Sequence, residues 1–348
     1  MAIWGSRGAA RLAPVAYAPP GDQGTSVVRW STDQVDPKDR FDYWREVRSK
    51  GLFGATAELD REHRPKFSGE FSLRKVGSAG LIGLRASSYH VERSAADIAN
   101  APSDSLCICQ QRGGGGWFRV RNVDDFHIVG GSFGTSYSDL PYHTVPIAAE
   151  GFDLRILKVP VADIAVPITG LHDLVPKPFT DHPALTPLLE SCFTDLTETD
   201  EDSDPATMKA LVQTLTHLTL IERGVVRPTS RVAQYAVRAG RLSLARRLMA
   251  RHIAEPQLSP AFIASQLAIS VRHLHVLFEE SIMSFSQTVT ALRIERSRRL
   301  LREAPAMAIA EIAFASGFDS LATFYRVFRA VQGITPGDFR AQVPARGP

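Results

Sequence analysis

At 348 residues the chain is long enough for two separate cores, and 44% hydrophobic with 22% charged residues excludes disorder as its main state. The net charge of +3 is unevenly held: positions 241–340 carry thirteen Arg, no Lys and eight acidic residues, against 27 basic and 29 acidic elsewhere, so the positive excess sits where a phosphate-binding module would need it. No run of eighteen apolar residues occurs, and residues 1–25 contain no continuous apolar segment, which points to a cytoplasmic protein without membrane contact, nucleoid-associated when on DNA.

Residues 1–25, rich in Gly, Pro and Ala, read as a disordered tail. Asp36-Pro37-Lys38-Asp39 has the order of an N-cap, a proline at N1 and an acid at N3, and predicts a helix carrying Phe41, Trp44 and Val47 on one stripe. From about Gly69 to Val161 the pattern changes to short alternating strands: Phe71–Val76, Leu81–His90, Ser105–Gln111, Trp117–Val120, Phe126–Ile128 and Phe152–Val159. Strands so spaced predict a barrel or sandwich. Gly113-Gly114-Gly115-Gly116 falls between two of them and reads as a flexible hairpin loop, since a phosphate loop needs a following helix and a Lys-Ser/Thr pair. Cys107 and Cys109 share a strand face without a second ligand pair at metal spacing, so with Cys192 they read as buried thiols.

Leu171 to Glu198 turns helical again, and the acidic, breaker-rich run to Asp204-Pro205 reads as an exposed hinge. Leu211, Leu215 and Leu218 then form a narrow stripe on a helix from Ala206 to Glu222, suited to packing on its own domain or to holding a second subunit. Arg227-Pro228-Thr229-Ser230 marks the expected domain boundary.

Beyond it one small helical unit occurs twice. The first copy runs from Ser259-Pro260 through Leu267-Ala268-Ile269-Ser270 to Leu274 and Phe278; the second runs from Ile312-Ala313 through Ser316-Gly317-Phe318 to Phe324 and Phe328. Each pairs a short helix with a capped turn and a second helix bearing apolar residues at i and i+4, which is helix-turn-helix patterning. With those anchors inward, Arg272, His275 and Val276 face outward in the first unit, and Leu321, Ala322, Tyr325, Arg326 and Arg329 in the second. Between the units, Ser284 to Arg302 is a helical pattern of nineteen residues, roughly 28 Å at about 1.5 Å each. That is close to the roughly 34 Å between successive major grooves on one face of DNA. Arginines on the connector, Arg296 among them, are placed for phosphate contacts, with a solvated helix face as the equal alternative.

On these residues, together with Leu292-Arg293-Ile294-Glu295-Arg296 and Gly333-Ile334-Thr335-Pro336-Gly337-Asp338-Phe339-Arg340, the last hundred positions resemble the DNA-binding domain of the AraC/XylS family of transcription regulators, an all-α double helix-turn-helix. The resemblance implies the same groove-facing residues. Where the family's first unit ends in a Gly and a Ser-Pro, this chain has Ile282-Met283-Ser284-Phe285, and an isoleucine in a left-handed position would be strained. The first unit is therefore expected to be the less regular, and Arg326 the best base reader.

The first two hundred residues resemble the sensor domain of one subgroup of that family, a cupin-like β barrel with flanking helices. Phe41-Asp42-Tyr43-Trp44-Arg45-Glu46-Val47, His90-Val91-Glu92-Arg93-Ser94 and Pro141-Tyr142 carry the likeness. It implies a small, often aromatic effector, for which Arg85, Tyr89, His90 and Tyr142 are candidate ligand-binding residues. Gly130-Gly131-Ser132-Phe133-Gly134 matches a nucleophile elbow, yet residues 135–141 are not helical as that elbow requires. His90, His127 and His143 stand singly, so no metal, cofactor or catalytic residue is assigned.

The expected architecture is a two-domain α+β chain: tail 1–25, cupin-like sensor 26–195, hinge and connecting or dimerisation helix 196–235, and AraC-type double helix-turn-helix 236–342. Its expected function is ligand-responsive transcription regulation, as an activator of catabolic genes. The expected partners are double-stranded promoter DNA, a small-molecule effector, a second copy in a homodimer, and RNA polymerase. Two alternatives stay open: a cupin-fold enzyme fused to a DNA-binding domain, and a regulator that needs no ligand.

Overall fold

A computed structural model of the chain describes residues 27–342 apart from 121–123, 147–150, 167, 169, 181, 200–203, 256–257 and 280. The expected tail and most of the acidic hinge lie outside the described residues.

The N-terminal half is built on two antiparallel sheets. The larger runs β1 (Val28–Ser31), β3 (Gly69–Val76), β4 (Ala79–Ala86), β11 (Phe152–Pro160), β6 (Ser105–Gly113), β9 (Phe133–Tyr137) and β12 (Lys177–Pro178). The smaller runs β2 (Thr56–Glu58), β5 (His90–Arg93), β10 (Tyr142–Pro146), β7 (Gly115–Arg119) and β8 (Phe126–Val129). Strand β6 shows how the large sheet serves two cores. Leu106 and Ile108 join the helices behind it, while Cys107 turns, with Phe71, Ile82 and Ile156, toward the other core. Period-two alternation makes this possible. Helix α1 (Arg40–Gly51) completes that second core with Phe41, Trp44 and Val47, around which Phe67, Phe71 and Tyr89 pack edge-on.

Three sequence expectations need correction here. The run Leu81–His90 is not one strand: β4 stops at Ala86, and His90 opens β5 in the other sheet. The four glycines do not make a hairpin, because β6 and β7 belong to different sheets and the chain turns a corner between them. A side chain at Gly114 (φ +66°) would meet the Gly151 carbonyl at 2.2 Å, and one at Gly115 the Ile128 carbonyl at 2.2 Å. Helix α1 begins at Arg40, with Pro37–Asp39 in a turn and Asp39 making no side-chain cap.

Arg93 ties the two sheets' edges to their loops. It is fully buried and donates to the carbonyls of Ser138 (2.6 Å), Ala101 (3.1 Å) and Gly54 and to the Asp139 carboxylate (2.8 Å). Asp139 accepts in addition from the backbone N–H groups of Ser103 and Asp104.

Behind the large sheet lie α2's successors in the chain: after the short α2 (Ala95–Asn100) come α3 (Thr186–Glu198), α4 (Pro205–Glu222) and α5 (Arg231–Arg251). The segment from Leu171 is helical only in short 3-10 turns until α3 begins. Asp204 caps α4 by accepting from Ala206 and Thr207 N–H, and Leu215 and Leu218 are fully buried in the core behind the large sheet. This stripe therefore packs within its own chain and is not a dimerisation face. Arg74 of β3 closes the end of α3, donating to the Thr199 carbonyl at 2.7 Å and to Leu196. Gly240 lets α3 and α5 approach, since a Cβ there would stand 3.0 Å from Leu188 Cβ. The expected boundary at Arg227–Ser230 is crossed by packing: Ala233 and Ala236 of α5 belong to the core behind the large sheet, Ala245 and Met249 to the next one.

Candidate nucleic-acid interface and barrel cavity

The C-terminal third is two small helical units, each with its own core, on a shared connector. In the first, Ser259 caps α6 (Pro260–Gln266) by accepting from Phe262 N–H, and Ser270 caps α7 (Val271–Glu279) by accepting from His273 N–H. The two helices cross at 97°, within the range of a helix-turn-helix. In the second, α9 (Ile309–Ala315) is followed by α10 (Leu321–Gln332), which Ser320 caps by accepting from Thr323 N–H. Gly333 ends α10 at φ +75°, and Thr335 and Asp338 cap α11 (Pro336–Gln342) reciprocally.

The turns are built alike. Ile269 N–H bonds the Ala264 carbonyl and Ala268 N–H the Ser265 carbonyl; Phe318 N–H bonds Ala313 and Gly317 N–H bonds Phe314. Both are Schellman closures, which place one residue in the left-handed region. In the second unit that residue is Gly317 (φ +88°), in the first Ala268 (φ +51°). The irregularity expected in the first unit is therefore real but misplaced. Ile282 is not left-handed; it is fully exposed, and Phe285 packs edge-on against Phe278 at 5.6 Å as α8 (Phe285–Glu303) begins. Ala268→Gly is expected to raise stability by about 1 kcal/mol, the cost of a left-handed L-residue, as an increased denaturant midpoint. An unchanged or lowered midpoint would show that the turn carries no such strain.

With the capping serines Ser270 and Ser320 aligned, Leu274 and Phe278 correspond to Phe324 and Phe328, all buried. The exposed positions between them then correspond too: Arg272, His275 and Val276 on α7, and Ala322, Tyr325 and Arg326 on α10. Leu321 and Arg329 are also exposed. All eight stand on the open faces of the second helices. Arg296 does not. It is half-buried, its Nε donates to the Ala315 carbonyl at 2.7 Å, and it closes the end of α9. Its neighbours are likewise occupied: Arg293 lies over the Phe318 ring, Arg298 over Phe339 and against Glu295 at 2.7 Å, and Arg302 over Phe339. Arg293, Arg296, Arg298 and Arg302 thus tie the second unit to α8. Sequence reading missed Arg238 of α5, which donates to the Val276 carbonyl at 2.9 Å and holds α7 in place. No pattern in its own helix marks it.

Helix α8 has nineteen residues, as expected, and serves both cores. Val289 and Leu292 pack on the first, Ile294 and Leu301 in the second. Ser284 and Gln287 form its capping box.

Between the sheets lies a cavity of about 140 Å³. Tyr89 and Tyr142 line it, as do Cys107, Cys109 and Gln111. Arg85 and His90 do not: strand alternation turns both to the exposed outer faces, where His90 lies beside His143 with ring centres 6.3 Å apart. Burial pushes the Cys107 and Cys192 thiols up to about 12 and Cys109 higher still, so these free thiols stay protonated at neutral pH. Ser132 precedes strand β9, not a helix, and so lacks the geometry of a nucleophile elbow. Asp60, Glu62 and His63 form the one acidic and histidine cluster close enough to hold a metal among the described residues, and all three are exposed. No single helix among the described residues is long and apolar enough to cross a membrane.

A helix-turn-helix domain family model matches residues 263–342. The HTH-type transcriptional regulator GlxA of Rhizobium meliloti (strain 1021) is 38% identical over 87 residues, 25% of this chain and 26% of that protein. The HTH-type transcriptional regulator CdhR of Pseudomonas aeruginosa is 31% identical over 101 residues, 29% of this chain and 30% of that protein. The chain therefore matches between a quarter and a third of the length of these curated relatives. The crystal structure of the AraC-like transcriptional activator CuxR aligns over 83% of this chain and all of its own, with a TM-score of 0.50 at 18% identity, a likeness of fold that takes in both halves. With a double helix-turn-helix on one connector behind a two-sheet domain, the chain carries an AraC-type helix-turn-helix DNA-binding domain at its C-terminal end and shares its two-part fold with an AraC-like activator.

Proposed function

We propose that the chain is a sequence-specific, ligand-responsive regulator of transcription that places α7 and α10 in successive major grooves of promoter DNA. The observation that carries this is the matched pair of exposed helix faces, Arg272/His275/Val276 and Ala322/Tyr325/Arg326, held on a single nineteen-residue helix. Footprinting of upstream DNA tests it. Protection of two adjacent grooves per subunit is expected, and no specific protection under any condition would refute it.

Within that reading Arg326 is the chief base reader, because its guanidinium projects from the open face of α10 beside the small Ala322 and can take a guanine edge in bidentate fashion. Arg326→Ala is expected to weaken operator binding by about 1–3 kcal/mol and to relax preference at one base pair. Uniform weakening across operator variants would make it a phosphate contact instead.

The two-sheet domain is the effector sensor in this proposal, and α3 and α5 carry its state to the DNA-binding units. Ser243 of α5 donates to Asp195 at 2.6 Å and shares a 2.6 Å hydrogen bond with Ser191; Arg247 bonds Asp195 at 3.2 Å and Glu198 at 3.0 Å. A ligand that favours one α3 arrangement over another shifts α5 by the same free energy. Activation of catabolic genes with RNA polymerase as partner is the mode we assign. A homodimer would have to use a face other than the buried stripe of α4.

A further inference from the structure

Helix α1 turns Phe41, Trp44 and Val47 inward, and Arg48 follows on the same face with only 4% of its surface exposed. A guanidinium stays charged and brings five N–H donors, so burying it without partners is costly. Arg93 shows how this fold meets that demand, with three carbonyls and a carboxylate. Arg48 has none of these. It makes no hydrogen bond and no ion pair with any described residue, and its one marked neighbour is the Phe53 ring, 5.9 Å from its Cζ.

What it faces is the cavity between the sheets. Apart from Arg48 the walls are mainly apolar, with Leu84, Phe118, Phe152 and Leu154 among them, and no Asp, Glu or Lys contributes. Tyr89 and Tyr142 also line the space, and their hydroxyls have no hydrogen-bond partner among the described residues. An apolar hollow of about 140 Å³ is close to the size that accepts one benzene ring. A lone buried cation at its wall calls for one negative charge, and the planar fork of Arg matches a carboxylate.

We propose that this cavity binds a small monocarboxylate with a compact apolar body of about one ring, its carboxylate held by the Arg48 guanidinium. The assignment rests on reading the two-sheet domain as the sensor. The ring lies against Leu84, Phe118, Phe152 and Leu154, and the tyrosine hydroxyls complete the carboxylate's hydrogen bonds. Burial pushes the Tyr142 phenol up, so it remains a donor at neutral pH. Amines of the same shape are rejected by charge, and neutral amides lose the ion pair.

Calorimetric titration of the full chain with benzoate, butyrate, cyclohexanecarboxylate, benzamide and benzylamine tests this. A carboxylate is expected to bind where benzamide and benzylamine do not, and Arg48→Gln should weaken it by at least about thirtyfold. Equal binding of benzamide, undiminished benzoate binding by Arg48→Gln, or no binding of any of the three acids to the folded wild type would overturn the proposal. Removing an unpaired buried charge should leave Arg48→Gln folded, which its melting curve and DNA binding check. Should it not fold, Arg48→Lys keeps the charge without the fork and must still prefer benzoate to benzamide. Footprints of the wild type with and without the bound acid report separately on regulation. Unchanged protection would refute ligand-responsive regulation and leave carboxylate selection standing.

Discussion

Gly317→Ala is expected to unfold the second helix-turn-helix unit and abolish specific DNA binding. The added Cβ would stand 2.1 Å from the Ile253 carbonyl oxygen and 3.0 Å from Arg293 Nε, at a φ of +88° that L-residues rarely adopt. Neither obstacle yields easily. Ile253 is buried at the end of α5, and the Arg293 guanidinium lies over the Phe318 ring. Left-handed strain of about 1–2 kcal/mol adds to a steric cost of about 1–3 kcal/mol, so a loss of roughly 3 kcal/mol or more is expected. Urea unfolding followed beside operator binding measures it. A variant with an unchanged midpoint would mean that the turn opens without cost.

Asp139→Ala carries the second large effect, because it strands the fully buried Arg93 and two backbone N–H groups. Breaking one partner of a buried ion pair costs about 3–5 kcal/mol. The same site gives the protein an acid sensitivity. Burial alone would raise the Asp139 carboxyl, but hydrogen bonds from Asp104 and Ser103 N–H, from Arg93 and from Ser138 outweigh it and hold the group below the usual carboxylate range. A depressed folded-state value means that its contribution is complete above the ordinary Asp range and is lost as pH falls through the lowered one. The wild-type urea midpoint should therefore drop on acidification, and the Asp139→Ala midpoint should drop less. Parallel curves would show that Asp139 is not the sensitive group.

Much of the DNA-reading half was legible in the chain, for a physical reason. Helical spacing and caps are local, so Ser259 and Ser270 announced two helix starts that the structure places at those caps. The connector's length followed from the same local pattern. What the chain hid was anything settled by distant partners. Arg296 looks like a surface charge until the Ala315 carbonyl arrives beside it, nineteen positions away. Ala268 gives no sign in its own sequence of a left-handed backbone, whereas glycine at 317 does. In the two-sheet half, strands were located but their sheets were not, so Arg85 and His90 were placed by sequence near a cavity that they face away from. Arg48 was missed in the sequence, although it stands on an apolar stripe at i+4 from Trp44 and i+7 from Phe41, and that spacing is the signal that could have found it.

Helix α5 gives the molecule a limit on how its parts can be exchanged. Its first turns are cemented among α3 and α4 and its last turns are the floor of the first DNA-reading unit. A chimera joining this DNA-reading half to a foreign N-terminal domain by a cut at residue 236 would inherit α5 without its first turn, and would lose Ala233 from the core that helix shares with α3 and α4. The transplantable piece begins no later than Ser230, and it carries with it Ala233, Ala236 and Gly240, a surface shaped for one particular donor. The two halves of this chain are thus inherited as a couple, and a new pairing has to supply its own equivalent of α3.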